Sequence, residues 1–405
     1  MEHTPSQPSS RLPRNVIVLG WASLLNDIAS EMVFPLLSKF ITEVLKASKL
    51  QLGLIEGLAD MAASFLRLFA GGWSDALGQR RGFIVCGYTI AAAMRPLTGL
   101  ATMPWHVLLA RTGDRFGKGV RSAPRDALIA ESISTEQRGR AFGFHQAMDH
   151  LGATVGPMLA ALFLFFLPGE YRWLFLITLI PGLLAVSILV FGLKPQPVIK
   201  KDTVSFRLSL KPFQSRFKKY LIALALFTLG CSSDAFLLIR ASDVGVPVWQ
   251  LPILWGLFSA CKSLGNYYMG WMVDRYGAPR FICFGWIVYG CIYVGFGLLN
   301  APWQVWGIMV LYALFYALTE PAEKTMVAHL ALPEWKGLAF GWFHFTLGLT
   351  ILPANLLFGW VYDRFGPMAA FTLNAGFAFV AAMLFAFWVM QPAINATTIH
   401  PKSES

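Results

Sequence analysis

The sequence predicts an all-α membrane protein of twelve transmembrane helices, arranged as two pseudo-symmetric six-helix bundles. Three observations predict it. Hydrophobic residues make up 56% of the 405 residues and charged residues only 14%, where soluble domains carry roughly 25% charged. Apolar segments recur at the ~20-residue length that a helix needs to cross a bilayer. One cassette also closes an apolar segment twice, as Gly71-x-x-x-Asp75-x-x-Gly78-x-Arg80-Arg81 and as Gly270-x-x-x-Asp274-Arg275-x-Gly277-x-x-Arg280. Its two aspartates lie 199 positions apart. A repeat of half the chain length marks a duplication, and duplicated membrane bundles hold their solute sites at the seam between repeats.

Taken in order, residues 1–14 are polar and form an N-terminal tail. Six spans follow near 15–38, 51–74, 82–101, 104–129, 139–166 and 173–193, making a first bundle over 15–193. No small-residue cleavage site follows the first apolar run, so that run is expected to remain as a span. The stretch 194–218, with Pro195, Pro197 and a concentration of lysines and arginines, links the halves. Six further spans near 219–240, 251–273, 281–300, 303–329, 338–361 and 368–390 form a second bundle over 219–390, and 391–405 is a C-terminal tail. A second repeated motif supports the same period: Gly139-Arg140-Ala141-Phe142-Gly143-Phe144 opens the fifth span and Gly337-Leu338-Ala339-Phe340-Gly341-Trp342 the eleventh.

An even number of crossings leaves both termini on one side, and the lysine and arginine bias of the loops sets which side. Loops on the terminal side hold eighteen such residues and the opposite loops six. Both termini and the 194–218 linker are therefore expected in the cytoplasm, with the chain in the plasma (inner) membrane. The net charge of +11 does not argue for nucleic acid, because no basic domain exists outside the apolar segments to hold it. All five cysteines fall inside apolar runs without a CxxC pair, so neither a disulfide framework nor a metal site is expected. No cofactor is implied. There is no GxSxG elbow, HExxH helix or Walker motif, so the chain is not expected to be an enzyme or to use ATP directly.

Twelve spans, a basic central loop and the cassette between spans two and three resemble the major facilitator superfamily of secondary transporters over nearly the whole chain. That resemblance implies two bundles rocking about a central cavity. It also implies a latch role for the cassette residues Gly71, Asp75, Gly78, Arg80, Arg81, Gly270, Asp274, Arg275, Gly277 and Arg280, with each aspartate capping the next helix, a placement that the exposed N–H groups and the dipole favour. Ala76 stands where the family usually has arginine and Gln79 where it has a basic residue, which loosens the first copy. Gly152-x-x-x-Gly156-Pro157 in span five resembles a helix-packing motif of proton-coupled exporters, with Ala160-Ala161 where paired glycines are usual, and leans the direction toward export.

An ionisable side chain within the hydrocarbon costs ~3 kcal/mol or more and normally faces a cavity or a partner. In span four, Arg111, Asp114, Arg115, Lys118, Arg121 and Arg125 recur every three or four residues and so share one helical face. Span one offers Asp27 and Glu31 at the same periodicity, and counting inward from opposite sides sets them at the depth of Arg111 and Arg115. Spans one and four are neighbours in the superfamily, so these four residues are expected to form one charge network. Arg121, Arg125 and Asp126 are expected to be structural. Span five aligns His145 with Asp149, a candidate proton relay. Span two aligns Glu56, Asp60 and Arg67, for which gating and structural pairing both stay open. In the second half, Asp234, Lys262, Tyr316 and Glu320 are the expected cavity residues, with Trp255 on the face of Lys262.

The function expected is secondary active transport of a small organic solute by proton-coupled alternating access. The cations Arg111, Arg115, Lys118 and Lys262 tilt that solute toward an anion or zwitterion. The expected partners are the lipid bilayer, the solute and protons, with the chain a monomer. One alternative is a metal-ion carrier like ferroportin, with Asp27, His145, Cys231 or Asp234 as ligands, but no segment shows a tight ligand cluster. The other is a non-transporting membrane receptor, which should carry a soluble signalling domain that the sequence lacks.

Overall fold

The computed structural model describes residues 12–77, 79–132, 138–194, 210–331 and 335–390. Most of both predicted tails and positions 195–209 of the predicted linker lie outside the described residues. The first half contains α1 (Arg14–Lys39), α2 (Lys49–Leu77), α3 (Arg80–Leu97), α4 (Pro104–Glu131), α5 (Arg138–Phe166), α6 (Tyr171–Ile177) and α7 (Leu179–Gly192). The second contains α8 (Ser215–Leu229), α9 (Asp234–Asp243), α10 (Gln250–Tyr276), α11 (Ala278–Leu298), α12 (Pro302–Leu330) and α13 (Lys336–Trp388). No strand occurs among the described residues.

Twelve crossings follow from these helices. Eight helical stretches are long and apolar enough to cross a membrane, among them α6 with α7, which share one crossing, and α8 with α9, which share another. The 53-residue α13 covers two crossings and breaks at Gly366, where φ 83° and ψ 174° suit glycine alone. The remaining crossings are α2, α4 and α10, which carry the interior charges. Pro104 and Pro302 open α4 and α12, a position where the missing N–H costs no helical bond. Gly277 turns the chain between α10 and α11 with φ 88°, so the last glycine of the second cassette is fixed by backbone geometry.

The duplication is visible in which helices touch. In the first half α2 packs on α4, α3 on α4 and α7, and α1 on α5. Their counterparts in the second half repeat the pattern: α10 on α12, α11 on α12 and α13, and α8 on α13. The halves meet along α2 with α13, α5 with α10, and α1 with α9.

At one end of the molecule that seam is tied by polar contacts. Asp363 accepts the backbone N–H groups of Lys49 and Leu50 at 3.0 and 2.8 Å, and Lys39 Nζ donates to Ser242 Oγ at 2.7 Å. Further along, Gly348 approaches Ser64, and Phe65 meets Phe345 edge-on at 5.4 Å.

The seventh crossing departs from the single span expected over 219–240. Helix α8 ends at Leu229, α9 starts at Asp234, and Gly230, Cys231, Ser232 and Ser233 run between them. Small polar residues favour such a break, and Ser233 caps the new helix by accepting the Ala235 N–H at 3.3 Å.

Candidate functional site

A cavity of ≈ 370 Å³ lies on the seam at the level of this break, within the ~300–1,000 Å³ usual for small-molecule sites. The first half contributes Phe34 from α1, Glu56 and Asp60 from α2, and Arg115 from α4. The second half contributes the rest, including Ser232, Ser233 and Asp234 at the break, Tyr289 on α11, and Tyr312, Tyr316, Glu320, Glu323 and Lys324 on α12. Phe227, Phe315 and Phe343 complete an aromatic wall.

Of the second-half residues expected at the site, Asp234, Tyr316 and Glu320 line this cavity, and Lys262 stands directly behind it. Asp234 accepts the Tyr312 hydroxyl at 2.6 Å and the Tyr316 hydroxyl at 3.3 Å. Lys262 binds Glu320 at 2.9 Å with its ammonium 4.0 Å from the centre of the Tyr316 ring. Asn266 donates to the same carboxylate at 2.6 Å. Glu323 receives the Trp286 indole N–H at 3.3 Å.

The expected network of Asp27 and Glu31 with Arg111 and Arg115 does not form. Arg111 binds Glu56 through two parallel hydrogen bonds of 3.0 Å, with Glu56 1% and Arg111 5% exposed. Arg115 Nε lies 3.5 Å from Asp60. The neighbour differs from the one expected, because α2 rather than α1 lies along the charged face of α4. Gly119 makes that close packing possible, since a Cβ there would stand 2.7 Å from the Leu66 Cβ. Asp114 pairs with Arg95 at 2.8 Å. Arg121 stacks over Tyr88 at 4.3 Å, and Arg125 binds Asp126 at 3.0 Å.

Asp27 instead accepts the Asn26 amide at 2.9 Å. Glu31 accepts the Trp255 indole N–H of the second half at 2.7 Å, and that indole packs between Phe34 and Phe258 at 4.8 Å from each. Lys118 is exposed and makes no ion pair among the described residues. His145 Nδ1 lies 3.5 Å from Asp149, and its buried Nε2 has no hydrogen-bond partner among the described residues. Neither His145 nor Asp149 lines the cavity.

The packing glycines bring α5 hard against α1 at the level of those carboxylates. A Cβ at Gly152 would stand 2.8 Å from both the Asp27 Cβ and the Leu24 carbonyl oxygen, and one at Gly156 2.7 Å from the Ile28 carbonyl oxygen. Pro157 sits inside α5 and faces Gly256 across the seam.

Among the cassette residues, Arg80 binds Glu131 at 2.6 and 2.7 Å and Arg81 the Val190 carbonyl at 2.5 Å, both partners belonging to the first half. Arg275 lies over the Tyr276 ring at 5.5 Å, and Arg280 borders an apolar groove with Tyr276 and Phe281. Gly78 lies outside the described residues, and only the helical backbone is described for Gly71, Asp75, Gly270 and Asp274.

Two further polar contacts at the site were not expected from the sequence. Asn355 Oδ1 accepts the Ser233 N–H at 2.7 Å, and the Ser233 hydroxyl donates to Glu56 at 3.5 Å. The chain break is thereby tied to the Glu56–Arg111 pair of the opposite half. The run Gly230-Cys231-Ser232-Ser233 inside an apolar span was the available signal. Among the described residues no three His, Cys, Asp or Glu side chains are grouped so that they could hold a metal ion.

Comparison with known proteins agrees with this architecture. The family model described as Major Facilitator Superfamily matches residues 19–261 and 220–404. The chain is 31% identical over 386 residues to an uncharacterized MFS-type transporter of Methanocaldococcus jannaschii, covering 93% of this chain and 95% of that one. It is 25% identical over 343 residues to the multidrug resistance protein MdtH of Salmonella paratyphi B, covering 82% of each. Among solved structures, a bacterial homolog of the human lysosomal transporter Spinster, in an inward-facing and occupied conformation, superposes with a TM-score of 0.75 at 16% identity, covering 93% of this chain and 96% of that one. The nucleoside transporter NupG also superposes at 0.75, with 14% identity and coverage of 93% and 100%. With the fold, the duplication and the family match in agreement, the chain belongs to the major facilitator superfamily.

Proposed function

We propose that this chain is a secondary active transporter that moves a small organic solute through the seam cavity by proton-coupled alternating access. The observation that carries this reading is a charged and aromatic cavity between two pseudo-symmetric halves, tied shut at one end by Asp363 and Lys39. The lysine and arginine bias of the loops supports a reading in which that tied end lies outside and both termini lie in the cytoplasm, with the chain in the plasma (inner) membrane. The cavity would then face the cytoplasm, with exposed Lys324 toward its mouth. Charge inside a membrane requires a function or a partner, and the cavity carboxylates supply proton carriers. The first cassette, around Asp75, and the second, around Asp274, would latch the halves in the opposite state. Export is the favoured direction, supported by the Gly152 to Pro157 motif and by the likeness to a multidrug resistance protein.

Of the four cations behind the tilt toward an anionic solute, Arg111, Arg115 and Lys262 are each held by a carboxylate, and Lys118, which has no ion pair among the described residues, does not line the cavity. A test uses everted membrane vesicles energised to an acid interior. Addition of a transported compound is expected to collapse the pH gradient in vesicles containing the protein and not in empty ones. Flux that survives a protonophore unchanged removes the proton from this mechanism.

A further inference from the structure

The α8–α9 break leaves Cys231, Ser232 and Ser233 outside any helix within a membrane crossing, where freed backbone groups need partners in the protein. Two anchors come from α11 of the same half. Tyr289 donates its hydroxyl to the Gly230 carbonyl at 3.0 Å, and the Tyr293 hydroxyl lies 2.9 Å from Ser232 Oγ. A third is Asn355 of α13, which is fully buried. Its Oδ1 accepts the Ser233 N–H at 2.7 Å while its Nδ2 donates to the Ile351 carbonyl at 2.9 Å. The amide is thus fixed in its own helix with its oxygen held toward the break.

Asn355 is also where α2 presses on α13. A Cβ at Gly57 would stand 3.2 Å from the Asn355 Cβ, and at Gly53 the Asn355 carbonyl oxygen leaves no room for one. From the same stretch of α2, Glu56 accepts the Ser233 hydroxyl at 3.5 Å. Helix α2 therefore reaches the break twice, directly through Glu56 and indirectly through Asn355.

Both ends of the short α9 are held by α13. Asn355 takes the Ser233 N–H at its start, and Tyr362 donates to Asp243 at 2.6 Å at its end. Next to Tyr362, Asp363 accepts the Lys49 and Leu50 N–H groups at the tied end of the seam. Cys231, Ser232, Ser233 and Asp234 line the cavity. Any shift of Ser233 against Asn355 therefore moves Asp234 relative to Tyr312 and Tyr316, which donate to it at 2.6 and 3.3 Å.

We propose that Asn355 is a positioning residue of the cavity. Its side-chain oxygen sets the α8–α9 break, and with it Ser232 and Asp234, according to how α2 packs on α13. Closure of the tied end and the shape of the solute site then belong to one equilibrium, and each biases the other by the same factor. This deepens the transporter reading and rests on it for the meaning of the cavity. The test needs no solute, so the positioning role and the transporter reading can fail separately.

The test follows both places on purified full-length protein. A fluorine label on Cys231, in a background of Cys86→Ala, Cys261→Ala, Cys283→Ala and Cys291→Ala, reports the break by fluorine NMR. Spin labels at Lys46 and Asn300 report the tied end in parallel samples. Asp363→Ala removes a helix cap at that end and is expected to raise the open population about five-fold, with a minor Cys231 resonance growing by the same factor. Asn355→Leu and the smaller Asn355→Ala both remove the acceptor oxygen. In them the spin labels are expected still to respond to Asp363→Ala while the Cys231 spectrum no longer follows. Asn355→Asp keeps an oxygen acceptor and is expected to restore the joint response, which a packing role alone does not require. Monodispersity and melting temperature show which variants are folded. A Cys231 resonance that ignores Asp363→Ala when Asn355 is intact overturns the proposal, whatever the Asn355 variants do. A joint response that persists in folded Asn355→Leu or Asn355→Ala, or one lost equally in folded Asn355→Asp, overturns it as well.

Discussion

Asp363 of the second half caps the helix that starts at Lys49 in the first. Its two oxygens accept the N–H groups of Lys49 and Leu50, so one carboxylate satisfies two of the donors that every helix start leaves open. A lost cap costs roughly 1 kcal/mol, about a five-fold change in an equilibrium. Asp363→Ala is therefore expected to enlarge the population in which this end is open by about that factor. Spin labels at exposed Lys46 and Asn300 report it as a growing long-distance component, and an unchanged distribution means that the cap is incidental to closure.

The Glu56–Arg111 pair gives a second prediction with a different readout. Both groups are almost fully buried, so removing one partner strands the other at a cost of roughly 3–5 kcal/mol. Glu56→Gln is expected to lower the melting temperature sharply. Glu56→Gln combined with Arg111→Gln is expected to be less damaging than the sum of the two single changes. Additive losses in that double-mutant cycle would show that the two groups do not act on each other.

How the site could be read from the sequence follows from which coordinates the sequence contains. Span length, the cassette repeat and the every-fourth-residue charges of α4 depend on position along the chain, so the twelve crossings and a charged interior were legible. The direction in which a helix faces its neighbours is not written in one helix alone. Counting depth set Asp27 and Glu31 level with Arg111 and Arg115, yet Glu56 and Asp60 on the adjacent α2 took those partners. Tyr316 and Glu320 were found because they lie on a polar face of an otherwise apolar span, and Asp234 because it is a charge near the middle of one. The chain break beside Asp234 was hidden because Gly230 to Ser233 fits within a span of ordinary length, and Asn355 was missed because its partner is a backbone group far away in sequence.

The glycines of α5 provide a steric prediction. At Gly152 a methyl group would stand 2.8 Å from Asp27 and from a backbone oxygen, and backbone cannot yield as a side-chain tip can. Gly152→Ala is expected to cost roughly 1–3 kcal/mol as overpacking. Gly143 on the same helix has nothing within 4 Å of its Cβ position, so Gly143→Ala is expected to be neutral or slightly stabilising, as alanine is the better helix former. Thermal unfolding of the two variants side by side checks this, and equal stability of both contradicts the close α1–α5 approach.

The Trp255–Glu31 hydrogen bond crosses the seam between α10 and α1 at mid-molecule, and rocking of the halves must break it or carry both groups together. Trp255→Phe keeps a ring between Phe34 and Phe258 while deleting the N–H donor. A net intramolecular hydrogen bond contributes roughly 0.5–1.5 kcal/mol, so its loss is expected to shift the conformational equilibrium roughly two- to ten-fold away from the arrangement described here. Spin labels at Lys46 and Asn300 are expected to report this as a growing long-distance component. If labelled Trp255→Phe protein keeps the wild-type distances and transports at the wild-type rate, the two halves do not communicate through this contact. Glu31→Gln keeps the acceptor, since an amide oxygen still accepts the indole N–H, and is expected to give a smaller shift than Trp255→Phe.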